Sequence, residues 1–193
     1  MNLDEQDYET LRKFILVVEN VIPNKLCDDI IKEYKKSPEW EFAGVGGNVI
    51  NTSIRNTQAI SISQPSVVQV NAKVRANLDA RMFDGAASAI RSYNQSFPLV
   101  RIEEDSGYDL LRYETGQFYV EHVDSFKQHP RAVSCSFALN DNFDGGEFAF
   151  FGRKFKYNLK KGSALMFPSN FMYPHEVMPV TKGTRYSIIT WFI

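Results

Sequence analysis

His122, Asp124 and His175 are the residues whose types and placing suit metal chemistry. His122-Val123-Asp124 sets an imidazole and a carboxylate two residues apart, and on a β-strand residues i and i+2 face the same side. His175 follows Pro174 and opens an apolar stretch, which makes it the candidate third ligand on a second strand. Two histidines and one carboxylate form the facial triad that holds Fe(II) and leaves coordination positions open. A structural zinc site would need a fourth protein ligand, for which Cys135 is the candidate. Arg185 lies beyond the turn Thr181-Lys182-Gly183, where a hairpin would bring it to the same interior as His175. A buried guanidinium needs an anionic partner. A small dicarboxylate fits, with a keto-acid end on the metal and a distal carboxylate on Arg185. The alternatives at this point are a surface His175 and an Arg185 paired with Glu176 or Glu147.

The elements that would hold these residues fall into two groups. From about Gly107 onward, short β-rich runs alternate with turn residues such as Asp144-Gly145-Gly146 and Lys161-Gly162. Strands are expected at 108–113, 118–122, 132–140, 147–151, 154–158, 163–167, 176–180 and 185–193. So many short strands argue for an antiparallel sandwich or barrel, of which a jelly roll or cupin-like double-stranded β-helix has an interior able to hold a small ligand. The glycines of Asp144-Gly145-Gly146-Glu147 point to a tight turn rather than an acid-base pair.

Before that region the patterns are mainly helical. A strand is expected at 13–21. It is followed by a helix at 25–36 capped by Asn24, with Cys27, Ile30, Ile31 and Tyr34 on one face. Another strand is expected at 55–63. Between Pro65 and Pro98 two helical stretches are expected, the first carrying a stripe of Val67, Val70, Val74, Leu78 and Met82. These helices read as buttresses for a sheet. The fold class is therefore mainly β with supporting helices, α+β overall, the N-terminal helices packing on one sheet. At 193 residues the chain reads as a single domain, 1–105 supplying the buttress and 106–193 the core.

Composition narrows the function. With 44% hydrophobic residues and a net charge of -1, the chain is neither disordered nor a wholesale binder of nucleic acid or anionic membrane. Its basic residues cluster only in pairs, such as Arg12-Lys13, Lys35-Lys36 and Lys160-Lys161. Cys27 and Cys135 are too far apart for a CxxC site, and a reducing, cytoplasmic setting is the expectation. Gly44, Gly46 and Gly47 lack the Lys-Ser/Thr of a phosphate loop and read as a surface loop. His129 reads as a solvated loop residue.

Taken as a set, the motifs resemble a family. Tyr113-Glu114-Thr115-Gly116-Gln117-Phe118-Tyr119 leads into His122-Val123-Asp124, and Leu139-Asn140 and Asp144-Gly145-Gly146-Glu147 follow. Then come Lys161-Gly162-Ser163-Ala164-Leu165-Met166-Phe167-Pro168, His175-Glu176-Val177 and Gly183-Thr184-Arg185-Tyr186-Ser187. In spacing and order, residues 106–193 resemble the prolyl 4-hydroxylase-like branch of the iron(II)/2-oxoglutarate dioxygenases. The resemblance implies that His122, Asp124 and His175 bind iron and that Arg185 clamps the distal carboxylate of 2-oxoglutarate, with Tyr113 as a further contact. Some relatives carry a cosubstrate-touching tyrosine in the strand at 134–140, where this chain has Ser136 and Ala138. Ser187 is the candidate substitute.

The implied cofactors are Fe(II), 2-oxoglutarate and O2, with ascorbate as an optional accessory. The implied reaction is hydroxylation of an unactivated C–H bond, with succinate and CO2 as coproducts. An aspartate ligand fits hydroxylation, because a small residue there would open a site for halide. The expected substrate is a proline-containing peptide or protein, under lids formed by loops 39–50 and 125–131. Trp40 and Phe42 are candidates either for packing on a pyrrolidine ring or for anchoring the first loop. Two other readings stand beside it: the same chemistry on a free small molecule or nucleobase, and a metal-binding cupin-like module without oxygenase activity. Among the aromatics, Phe148, Phe150, Phe151 and Trp191 are expected in the core, one or two of them lining the substrate mouth.

Overall fold

The computed structural model describes residues 3–46, 49–63, 72–102 and 104–193. Val67, Val70 and Gly47 lie outside the described residues. In chain order the described residues form α1 (Glu5–Arg12), β1 (Leu16–Val18), α2 (Asn24–Tyr34), β2 (Glu41–Phe42), β3 (Arg55–Asn56), β4 (Gln58–Ser61) and α3 (Ala72–Ser96). They continue as β5 (Asp109–Glu114), β6 (Phe118–His122), β7 (Val133–Ala138), β8 (Asp144–Gly145), β9 (Phe148–Phe150) and β10 (Phe155–Tyr157). The last are β11 (Ala164–Pro168), β12 (His175–Val177), β13 (Val180–Lys182) and β14 (Thr184–Phe192).

Two antiparallel sheets carry the fold. The major sheet has the order β1-β11-β7-β14-β5-β4-β2, the minor sheet β10-β9-β12-β6-β3, and β13 pairs with β8 beside them. The two sheets face each other as a double-stranded β-helix. Period-2 alternation explains why the major sheet is apolar on both faces. On β11, Ala164 and Met166 join the helix-side core, while Leu165 and Phe167 join the core between the sheets. On β7, Cys135 and Phe137 face the helices, which leaves Ser134, Ser136 and Ala138 for the interior.

The helices cover the outer face of the major sheet. Leu26, Cys27 and Ile30 of α2 and Leu78, Met82, Ala86, Ala89 and Tyr93 of α3 pack into one cluster with Leu110, Phe137, Met166 and Ile188. The two helical stretches expected between Pro65 and Pro98 are, over the described residues, one continuous helix. Gly85 sits in its middle for a packing reason: a Cβ there would lie 2.4 Å from Ile22 Cγ2, so only glycine lets α3 rest on the chain entering α2. At α2, Pro23 rather than Asn24 occupies the N-cap, with no side-chain cap bond. The sequence reading also passed over α1, whose Asp4 and Asp7 form a reciprocal capping box. No described helix is long and apolar enough to cross a membrane.

One expected connection is wrong. The strand foreseen at 176–180 is split: β12 belongs to the minor sheet, and β13 leaves it to pair with β8. His175 and Arg185 are therefore not hairpin neighbours. They stand on opposite sheets and meet across the interior.

Candidate metal centre and its cavity

His122 closes β6 and His175 opens β12, and the two are Cα partners. Asp124 lies two residues past the end of β6, so it reaches the histidines from a turn rather than from the strand face expected for it. Ligand atoms of the three side chains lie within 4.8 Å of one another. The carboxylate sits between the rings, Oδ1 at 3.4 Å from His122 Nε2 and Oδ2 at 3.6 Å from His175 Nε2.

Each histidine is fixed from behind. His122 Nδ1 donates to the Val120 carbonyl at 2.8 Å, and His175 Nδ1 donates to the Tyr173 carbonyl at 3.1 Å. A carbonyl only accepts, so both Nδ1 atoms carry a proton and both Nε2 atoms face Asp124. Tyr119 stacks on the His122 ring at 3.5 Å, and Phe167 meets His175 edge-on at 4.6 Å. Burial, and then the neighbouring His122, push His175 down to about 4. It is a neutral, ligand-ready imidazole at ordinary pH.

Asp124 is prepared in the opposite sense. Burial opposes its charge, but His175, His122 and the Ser134 hydroxyl offset this and hold its carboxyl well below the usual range. Ser134 Oγ donates to Oδ2 at 2.6 Å, so Ser169 Oγ, 2.8 Å away, donates to Ser134. Arg131 donates to the backbone carbonyl of Asp124 at 3.0 Å, fixing the turn. Two imidazoles and one ionised carboxylate, all aimed at one point, are the donor set that suits Fe(II). Cys135 is turned to the helix side of β7, so the fourth ligand of a closed zinc site is not there.

The three ligand candidates border an open cavity of about 710 Å³ between the sheets. Arg185, 5% exposed, lies on its opposite wall. Its guanidinium carbon is 5.2 Å from the Tyr113 ring centroid and 5.1 Å from that of Phe148, and its Nη1 donates to Ser187 Oγ at 2.8 Å. No carboxylate of the described residues is within ion-pair distance of it. Glu176, one alternative partner, is held by Arg153 at 2.6 and 3.1 Å. Burial pulls the Arg185 pKa below the ordinary guanidinium value, the signature of a charge awaiting a counterion. Gly146 makes room for it: a Cβ there would lie 3.1 Å from Arg185 Cδ, and the backbone φ is +67°. The Asp144-Gly145-Gly146 turn is thus part of the wall behind Arg185.

The structure brings all six expected site residues, His122, Asp124, His175, Arg185, Tyr113 and Ser187, to this one cavity. Of the four aromatics, Phe148 and Trp191 line it, while Phe150 and Phe151 stay in the core. Trp40 does not serve a lid. Its Nε1 donates to the Tyr34 carbonyl at 2.8 Å and its ring packs near Tyr186, so it anchors the segment, whereas Phe42 lines the cavity. Phe126 and His129 bridge each other in the second loop, and both border the cavity mouth. Sequence reasoning missed Ser134, Arg131 and Asp109. Period-2 counting along β7 from Ser136 would have found Ser134 on the inner face.

Residues 108–193 match the family model described as the 2OG-Fe(II) oxygenase superfamily. The chain is 34% identical over 100 residues to a PKHD-type hydroxylase of Idiomarina loihiensis, covering 48% of this chain and 44% of that protein. It is also 34% identical over 85 residues to the prolyl hydroxylase EGLN3 of Mus musculus, covering 40% and 35%. The matches thus span less than half the length of these relatives. Among solved structures, a prolyl hydroxylase in complex with a hypoxia inducible factor peptide fragment from Trichoplax adhaerens aligns at TM-score 0.78 and 17% identity, over 99% of this chain and 94% of that one. A Pseudomonas putida prolyl-4-hydroxylase aligns at 0.68 and 23%, over 97% and 95%. At these identities the likeness establishes a shared fold.

Proposed function

We propose that this protein is an Fe(II)- and 2-oxoglutarate-dependent dioxygenase that hydroxylates a prolyl residue of a peptide or protein, a reading supported by the match of residues 108–193 to the family model described as the 2OG-Fe(II) oxygenase superfamily. The observation that carries the reading is the pairing, across one cavity, of three converging donors with a buried arginine that has no carboxylate partner among the described residues. The prolyl hydroxylases named above share this fold, which supports the choice of substrate.

His122, Asp124 and His175 hold the metal. When bound, Fe(II) supplies the redox chemistry that couples decarboxylation of 2-oxoglutarate by O2 to hydroxylation of a C–H bond. The chain's own residues bind, orient and exclude water. Arg185 takes the distal carboxylate of 2-oxoglutarate, Ser187 keeps the guanidinium plane fixed, and Tyr113 contacts the cosubstrate beside it. The aromatic wall of Tyr119, Phe148 and Phe167 keeps the space around His122 and His175 dry. No side-chain general base is needed. Ascorbate is an optional accessory in the same proposal, and a cytoplasmic setting belongs to it too, supported by the two buried free thiols, Cys27 and Cys135.

The test is incubation with Fe(II), 2-oxoglutarate and a panel of proline-containing peptides, following succinate and the mass of the peptide. The reading expects succinate together with gain of one oxygen atom on a peptide. Oxygen insertion only on a free metabolite or nucleobase would replace the prolyl reading, and metal binding without succinate would leave a non-oxygenase module.

A further inference from the structure

On the cavity floor, formed by the major sheet, Asp109 is already met by Ser61, Arg55 and Arg131. The mouth is different. Phe42 and Ile50 of the first loop and Phe126 of the second line the cavity, yet all three side chains are exposed. The turn between β11 and β12 adds Phe171 and Met172. Ser125 N–H donates to the Ser169 carbonyl at 2.9 Å, so this turn is joined to the second loop directly beside Asp124. Asn170 fixes the turn, accepting from Met172 N–H at its Oδ1 and from Tyr173 N–H at its carbonyl, both at 3.0 Å. Phe171 is thereby held out in solvent, 80% exposed.

Scattered exposed apolar residues are ordinary, whereas a group of them around a cavity mouth marks an interaction site. The charge pattern says what kind. Residues 42–46, 49–54 and 169–174 contain no charged side chain, in a chain of which 23% is charged. At the ends of the two loops Arg55 and Arg131 turn inward, onto the Gly44 and Asp124 carbonyls at 2.9 and 3.0 Å. That leaves Glu41 and Lys127 exposed beside the rim, one charge of each sign. The rim thus has no net charge to draw an ionic partner, and what it offers is apolar surface to be taken out of water.

We propose that this rim docks large apolar side chains of the peptide substrate, carried by the residues that flank the target proline. The inference rests on the prolyl-peptide reading and deepens it to a class of substrate. A free metabolite small enough to enter the cavity would leave Phe171 in water. A peptide is different: the chain on either side of a proline held at the metal must leave through the mouth, across Phe42, Ile50 and Phe126. Consecutive side chains of an extended segment point to opposite sides, so neighbours of the target meet the rim on more than one side. Phe126 and Phe171 thereby become specificity-determining residues that act on the flanks of the substrate.

The experiment compares proline peptides whose flanking residues are leucine, serine, aspartate or lysine, at saturating 2-oxoglutarate. The wild type should favour the leucine-flanked peptide over the other three by about tenfold in kcat/KM, mainly through KM. Phe126→Ser and Phe171→Ser, both at exposed positions, should each bring the leucine-to-serine ratio down to about threefold or less at a wild-type 2-oxoglutarate KM. Equal kcat/KM on all four peptides, preference for a charged flank, or a wild-type ratio in both variants would overturn this inference alone. So would a concentration-dependent dimer that Phe171→Ser abolishes while the flanks make no difference, which would assign the rim to a second copy of the chain. A wild-type enzyme that oxidises no peptide would overturn the functional reading and this inference with it.

Discussion

His122 and His175 are Cα partners across the antiparallel β6–β12 pair, and their rings meet at 4.3 Å between centroids, tilted by 52°. Cross-strand pairing is what brings together two ligands so distant in sequence. Asp124 completes the set from the turn that follows β6, where its carboxylate orientation depends on Ser134.

Ser134→Ala should weaken Fe(II) binding about 10- to 100-fold, the usual cost of removing a group that orients a ligand. Anaerobic titration of the purified variant checks this. An unchanged affinity would mean that the carboxylate needs no orienting hydrogen bond.

Arg185→Lys keeps the charge but loses the planar fork, so it should raise the 2-oxoglutarate KM about tenfold or more with iron affinity intact. Gly146→Ala should act in the same direction, since its Cβ presses on Arg185 Cδ and Val180 Cγ2 from a backbone at φ +67°. Steady-state kinetics with varied 2-oxoglutarate reads both variants, and a wild-type KM in Arg185→Ala would remove the clamp role.

Metal-free protein should lose stability as the solution is acidified from pH 6.5 towards 4. The unfolded chain protonates His175 near its ordinary value of 6.5, whereas burial and His122 hold the folded imidazole down to about 4. Between these values the unfolded state binds more protons, so this contribution is fully present above 6.5 and fades as the pH falls through the window. Thermal melts of the wild type and His175→Gln across this range should show a shallower pH slope for the variant; parallel slopes would contradict the assignment.

Gly85→Ala should destabilise the fold by about 1–3 kcal/mol, because a methyl group meets Ile22 Cγ2 in a packed interface. A lower melting temperature with wild-type helix content is the expected result. An increase, as alanine gives in an exposed helix, would show that Ile22 moves aside freely.

Local spacing carried the site further than it carried the connections. His122-Val123-Asp124, His175 and Arg185 were visible because their types are scarce in the chain and their spacing fits short strands, and the strands of 107–193 were visible because glycine-rich turns punctuate them. What could not be read was which sheet each strand joins. Val177 ends one pairing and Val180 begins another, so the expected hairpin between His175 and Arg185 became two facing walls. That α3 runs unbroken through Gly85 was not legible either, because the reason for glycine there lies in a contact with Ile22, far away in sequence. Asp109 drew no notice for the same kind of reason, since only the β4–β5–β14 register reveals the cavity floor on which it stands.

Release of CO2 from 2-oxoglutarate labelled at its C1 carboxylate, in wild-type protein and in Asp124→Ala, tests the metal centre most directly. The wild type should release label only when Fe(II) and O2 are both supplied, and Asp124→Ala should lose about a hundredfold or more of that rate while remaining folded. Release that needs no iron, or that persists at the wild-type rate without Asp124, would contradict the assignment of His122, Asp124 and His175 as the site of reaction.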